Sequence, residues 1–203
     1  MYHNMVFSPR IYEAINLASL LHRDQVRNDA SKTPYISHLM GVAFLLSSVT
    51  DDEDVIIAGM LHDSLEDVKG YTYEKLVRDC GERVATIVAH VTEPLDANKS
   101  VFDQLPWLTR KEMYLKRLEE GSIESILVSC ADKIHNTESF LKAFQDEGEA
   151  FAQSFGSSMR NRIWLNEQVL IISEKKLGEQ HPLMVRLRLC TEGFKKLNAT
   201  LTS

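Results

Sequence analysis

Apolar residues recur at three- and four-residue steps along almost the whole chain, and alternating runs bounded by turn residues are scarce, so the pattern predicts an all-α fold. Ser8 has the chemistry of a helix cap with Pro9 at the first position, and Ile11, Ile15, Ala18 and Leu21 form the stripe that follows. A polar loop from Arg27 to Lys32 and a Thr33-Pro34-Tyr35 lead-in precede a second helix around His38 to Ser48. Asp51 to Asp54 fall in the first turn of a third helix, where anions complement exposed amides and the helix dipole. That helix continues as Val55 to Leu61, apolar on every side, which implies burial at the centre of the domain. Val84, Ile87, Val88 and Val91 mark a further helix, and Thr109 with Glu112 has capping-box spacing. Between them, Thr92 to Trp107 is a long polar connection of the kind that covers a site. Ser122 opens a long helix through Ile123, Ile126, Leu127, Cys130, Ile134, Leu141 and Phe144. Two more helices follow, one around Trp164 to Lys176 ended by Gly178 and one from Pro182.

Composition fits one globular domain over 1–203: 44% of the 203 residues are hydrophobic and 26% charged, enough for a sizeable core and unlike disorder, collagen or coiled coil. The formal charge of −6 is unevenly placed. Residues 51 to 70 hold seven acids and one base, leaving 22 acids and 22 bases elsewhere, so no broad basic face for nucleic acid is expected. No apolar run approaches the ~20 residues of a membrane span, and MYHNMVFSPR does not read as a secretory signal. Cys80, Cys130 and Cys190 are odd in number and widely spaced, without CxxC, and read as small buried hydrophobes in a reducing, cytoplasmic setting.

The acidic stretch carries the chemistry. His62-Asp63-Ser64-Leu65-Glu66-Asp67 sets an imidazole and three carboxylates at the end of an apolar helix. If the helix continues that far, His62 and Glu66 share one face, and Asp63 and Asp67 another. Buried carboxylates without compensation cost several kcal/mol per ion, and a bound cation or proton uptake relieves this. A mixed His and Asp set suits Mn²⁺, Fe²⁺ or Zn²⁺. Further ligands must come from elsewhere, and His38 and Asp132 stand out, with Asn136 one turn after Asp132. His135 sits about 100° round the helix from Asn136 and takes a structural reading. His22, His90 and His181 have no matching partners, and His3 lies in the N-terminal segment.

The ordered set His38, His62-Asp63 and Asp132 resembles the H…HD…D pattern of the HD phosphohydrolase superfamily. More closely, RNDASKTPYISH at 27–38, LHDSLEDV at 61–68 and ADKIHN at 131–136 resemble the hydrolase domain of the RelA/SpoT alarmone enzymes, and the length suits its stand-alone form, the small alarmone hydrolases. The resemblance runs over about 10–145, with C-terminal helices over about 157–200 compatible but unmarked. It implies a helical HD fold that binds Mn²⁺ and hydrolyses the 3′-pyrophosphate of ppGpp or pppGpp to pyrophosphate and GDP or GTP. Carried over by position, His38, His62, Asp63 and Asp132 are the implied metal ligands, and Glu66 and Asp67 match the pair associated with the attacking water. Two carboxylates so close to a metal would titrate as a coupled unit. Arg27, Thr33 and Asn136 match substrate-holding positions, while Lys32 reads as a solvated loop lysine. Four positions depart from the family pattern: Asn28 replaces a common Lys, Leu39 a common Pro, and Glu138 and Ser139 stand where Arg and Thr are frequent. The metal and water chemistry look intact, and the altered substrate shell keeps two alternatives open: a phosphohydrolase of another 3′-phosphorylated nucleotide, and a non-catalytic binding module. The expected partner is a small nucleotide, with no nucleic acid or membrane. A homo-oligomer, the exact nucleotide and service as an antitoxin to a synthetase stay open.

Overall fold

The structure is a computed structural model, and it describes residues 8–93, 106–148, 151 and 159–201. The described elements are helical: α1 Pro9–Leu21, α2 Ile36–Ser47, α3 Glu53–Leu61, α4 Ser64–Asp67, α5 Tyr73–Cys80, α6 Glu82–Val91, α7 Trp107–Glu120, α8 Ile123–Glu147, α9 Met159–Leu177 and α10 Pro182–Leu201. Sheet pairing among the described residues is limited to an isolated bridge between Val26 and Pro34, which closes the 27–33 loop. The all-α expectation holds.

Helix starts follow their local signals. The Ser8 and Ser122 hydroxyls accept the N–H groups of Ile11 and Ser125, and Asp52 caps α3 by accepting from the Asp54 N–H. Thr109 departs from the expected capping role, because Pro106 precedes the first residue of α7 and Thr109 lies inside the helix. The short α5 escapes a search for apolar stripes, since only Leu76 in it is buried. Gly81, at φ +92°, takes a conformation that L side chains rarely adopt and turns α5 into α6.

The buried heart lies between α3 and α8. Every residue from Val55 to Leu61 is buried, and α3 packs on α1, α2, α6 and α8. A Cβ on Gly59 would lie 2.3 Å from Leu46 Cδ1, so α2 and α3 approach closely because position 59 has no side chain. The long α8 touches α2, α3, α6, α7, α9 and α10. Its Asp132 is thereby brought against the ends of α2 and α3, far away in sequence. Phe140, Phe151 and Phe194 form a smaller cluster under the C-terminal helices. Most of the expected covering segment, 94–105, lies outside the described residues. No helix among the described residues is long and apolar enough to cross a membrane.

Candidate metal centre and nucleotide groove

The apolar run of α3 stops at Leu61, and α4 restarts at Ser64, so His62 and Asp63 occupy a break rather than a continuous helix. Both residues keep right-handed helical backbone angles. Neighbours in an α-helix point about 100° apart, whereas here both side chains reach one cluster: His62 Nε2 lies 3.2 Å from Asp63 Oδ2. His38 comes in from the first turn of α2 and Asp132 from the middle of α8. His38 Nε2 is 3.4 Å from His62 Nε2, 3.3 Å from Asp132 Oδ1 and 3.6 Å from Asp63 Oδ2. His62 Nε2 is 3.4 Å from Asp132 Oδ1. Ligands about 2.1 Å from a common ion are separated by about 3.0 Å along an octahedral edge and about 3.4 Å along a tetrahedral one. All but the 3.6 Å His38–Asp63 spacing fall in that range, and His38, His62 and Asp132 are buried together.

Neighbouring groups orient these donors. The His62 Nδ1–H donates to the Gly59 carbonyl at 2.8 Å, which turns Nε2 toward the cluster. Tyr35 donates its hydroxyl to Asp63 Oδ2 at 2.7 Å. Asp132 accepts from Asn136 Nδ2 on Oδ1 and from Lys133 Nζ on Oδ2. Burial alone would push the His62 pKa down, but Asp63 and Asp132 outweigh it and lift it to about 9. Burial likewise opposes charge on Asp63, yet His62 and His38 hold its pKa well below the usual carboxylate range. Lys133 and the two histidines do the same for Asp132. Asp63 and Asp132 are thus held as carboxylates facing two imidazoles, a donor set suited to a divalent cation.

Above it lies a cavity of about 200 Å³ lined by Tyr35, His62, Asp63, Glu66, Asp67, Glu93, Lys111 and Lys133, among others. Glu66 Oε2 accepts the Glu93 N–H at 3.2 Å. Burial, then the negative charges of Glu93 and Asp63, raise the Glu66 pKa to about 7. The carboxylate beside Glu66 on the cavity wall is thus Glu93, which the sequence did not single out; it is buried and paired with Arg110 and Lys111.

Two further cavities share walls with the first. Lys111, Lys133 and Asn136 also line one of about 280 Å³ that includes Arg162. Arg162 and Asn136 in turn line one of about 250 Å³ with Arg27, Asn28, Tyr35 and Ser139. Together they make a groove running from the His/Asp cluster to Arg27. The Arg27 guanidinium lies 5.5 Å from the centre of the Tyr35 ring and donates to Asn136 Oδ1 at 2.9 Å and Ser139 Oγ at 3.3 Å.

Of the positions expected from sequence, His38, His62, Asp63, Glu66, Asp67, Asp132, Asn136 and Arg27 meet along this groove. Thr33 lines none of its three cavities; its backbone closes the loop by donating to Asp29 Oδ1 and accepting from the Arg27 N–H. Glu138 faces away and pairs with Arg186 on α10 at 2.7 and 2.8 Å, so this departure leaves the groove untouched. Sequence reading missed Tyr35, Glu93, Lys111, Lys133 and Arg162. Tyr35 and Lys133 lie inside motifs that were read, whereas Glu93, Lys111 and Arg162 carry no local signal. His135, read as structural, packs against His38 with ring centres 4.8 Å apart.

Comparison with known proteins identifies the family. A hydrolase named guanosine-3′,5′-bis(diphosphate) 3′-pyrophosphohydrolase MESH1 from Xenopus tropicalis is 37% identical over 129 residues, 62% of this chain and 66% of that protein. The human protein of that name is 33% identical over 129 residues, covering 63% of this chain and 67% of its own. The chain thus spans about two thirds of the length of these relatives. A solved structure from Listeria monocytogenes EGD-e superimposes with a TM-score of 0.67 at 27% identity, covering 78% of this chain and 99% of that one. Another, described as a metazoan ortholog of SpoT that hydrolyses ppGpp, gives 0.66 at 23% identity over 96% of this chain and 98% of its own, which shows the shared fold. The HD-domain family profile matches residues 14–157, and the chain belongs to the HD-domain family.

Proposed function

We propose that this chain is a divalent-metal-dependent enzyme that hydrolyses the 3′-pyrophosphate of guanosine alarmones, converting ppGpp or pppGpp to GDP or GTP and pyrophosphate. The observation that carries this reading is the convergence of His38 Nε2, His62 Nε2, Asp63 Oδ2 and Asp132 Oδ1 beneath a cavity walled by Glu66 and Asp67. The names of the MESH1 relatives supply the substrate class. His38, His62, Asp63 and Asp132 would hold the ion, for which we propose Mn²⁺. Such an ion lowers the pKa of bound water and polarises a phosphoryl oxygen. Glu66, with a pKa raised to about 7, is matched to accept a proton from the attacking water near neutrality. Asp67 shares that wall and helps to orient the water. Lys111 and Lys133 line the same cavity and can offset charge on the departing pyrophosphate. Arg27 and Asn136, with the Tyr35 ring behind them, hold the nucleoside part from the far end of the groove.

The test is pyrophosphate and GDP release from ppGpp by chelated protein, before and after adding Mn²⁺, alongside Glu66→Gln and Asp67→Asn. Metal-dependent release that both substitutions depress is expected. No release from the wild type, or release unchanged in both variants, refutes the proposal. A second reading rests on Asn28, neutral on the groove wall where the alarmone hydrolases commonly carry Lys. It predicts that another 3′-phosphorylated nucleotide gives the higher kcat/KM in a panel.

A further inference from the structure

We propose that His135 is a positioning residue that fixes His38 in the tautomer able to face a cation, and that position 41 is glycine to make room for it. The inference rests on reading His38 as a metal ligand. An imidazole nitrogen binds a metal through its lone pair, so with Nε2 facing the cluster the proton of His38 must sit on Nδ1. That Nδ1 lies 2.9 Å from His135 Nδ1. Two facing ring nitrogens form a hydrogen bond only when one donates and the other accepts. Donation from His38 to His135 leaves His38 Nε2 open toward the cluster. Donation in the opposite sense would leave the His38 proton on Nε2, aimed at Asp132 Oδ1, 3.3 Å away, and would close the site to an ion.

Position 41 supplies a second, independent observation. Gly41 lies on α2, three residues beyond His38, and a Cβ built there would fall 2.2 Å from both Cδ2 and Nε2 of His135. Glycine inside a helix costs about 1 kcal/mol relative to alanine. The ring of His135 occupies the space gained. The two ring planes cross at 61°, so the contact is edge-on. α2 and α8 are therefore joined at the site by one ring-to-ring hydrogen bond and by the space that a missing side chain leaves.

The experiment is Mn²⁺ titration of the metal-free full chain, following the electron paramagnetic resonance signal of free Mn²⁺, with circular dichroism to confirm helical folding. His135→Phe keeps a ring but offers no acceptor, whereas His135→Asn places an amide oxygen near the old Nδ1. Expected is a Kd for Mn²⁺ about 10- to 100-fold weaker for His135→Phe and restored to within about threefold of wild type by His135→Asn. Gly41→Ala should weaken binding as His135→Phe does, yet change nothing further when added to His135→Ala, where the ring it strikes is gone. Equal affinity of wild type and His135→Phe, failure of Asn to restore it, or additive losses for Gly41→Ala and His135→Ala overturns the inference while His38 stands as a ligand. A wild-type protein that binds no Mn²⁺ overturns both.

Discussion

Glu66 can be tested without substrate or metal. Its carboxyl pKa is raised from an ordinary 4.5 to about 7 by burial and by the charges of Glu93 and Asp63. The folded protein thus holds this proton more tightly than the unfolded chain. The penalty is absent below pH 4.5, grows as pH rises, and is fully present above 7. A difference of about 2.5 units at 1.36 kcal/mol each amounts to about 3 kcal/mol. Glu66→Gln keeps the shape and cannot ionise. Urea unfolding of both proteins in chelator should give a stability advantage of the Gln form that widens by about 3 kcal/mol between pH 4.5 and pH 8. Saturating divalent metal should shrink that widening, because a nearby dication favours the Glu66 carboxylate. An advantage that stays constant across this pH range would refute the electrostatic account of Glu66, and with it the argument that this residue is poised to act as a base near neutrality.

Asp132→Asn should remove metal-induced stabilisation: wild type at 100 times Kd gains about 2.7 kcal/mol, read as a rise in Tm, and the variant none. Tyr35→Phe keeps the ring that lies beneath Arg27 and beside His22 but deletes the hydroxyl on Asp63. It should weaken metal affinity by about tenfold in the same titration and leave far-ultraviolet dichroism unchanged. Gly59→Ala would force a Cβ against Leu46 Cδ1 and should lower unfolding free energy by about 1–3 kcal/mol in urea, with m unchanged.

The sequence was most legible where one residue's chemistry acts locally. Ser8 and Ser122 open their helices as expected, each accepting an N–H three residues on, while Asp52, expected inside the first turn of α3, is its cap. Part of the His/Asp cluster was legible for another reason: charged residues beside a fully apolar run need compensation, and His62-Asp63 adjoins such a run, whereas the full set of four was implied by the family resemblance. The geometry of the cluster was not legible, because His38 and Asp132 reach His62-Asp63 from α2 and α8, far away in sequence. Partners that arrive across the fold left no sequence trace. Glu93 raises the Glu66 pKa through the charge of a carboxylate 27 positions away in sequence, and Arg162 joins the groove because α9 packs beside α8. His135 had its partner hidden for the same reason. Helical periodicity separates it from Asn136, as expected, but what it faces is decided by α2.

The charge excess counted between residues 51 and 70 also changes meaning in three dimensions. Asp52 and Asp54 pair with Arg83 at 2.6 and 3.0 Å, and Arg10 joins Asp54, so part of the excess is offset at an exposed surface where such pairs add little stability. Asp63 leans on two histidines and a tyrosine hydroxyl. Glu66 gives up much of its charge near neutrality. The bases that could attract a polyanion are largely engaged as well, Lys111 and Arg110 on Glu93 and Lys133 on Asp132. A phosphorylated nucleotide entering this groove would meet paired cations and a wall that turns more negative as pH rises. Two positive charges in the His/Asp cluster would shift the balance in its favour, because they would act on Glu66, Asp67 and the phosphates at once. Metal and nucleotide should therefore bind as linked ligands, and the weak field of the protein as a whole is no obstacle, since attraction within a partly desolvated groove depends on the few charges that line it.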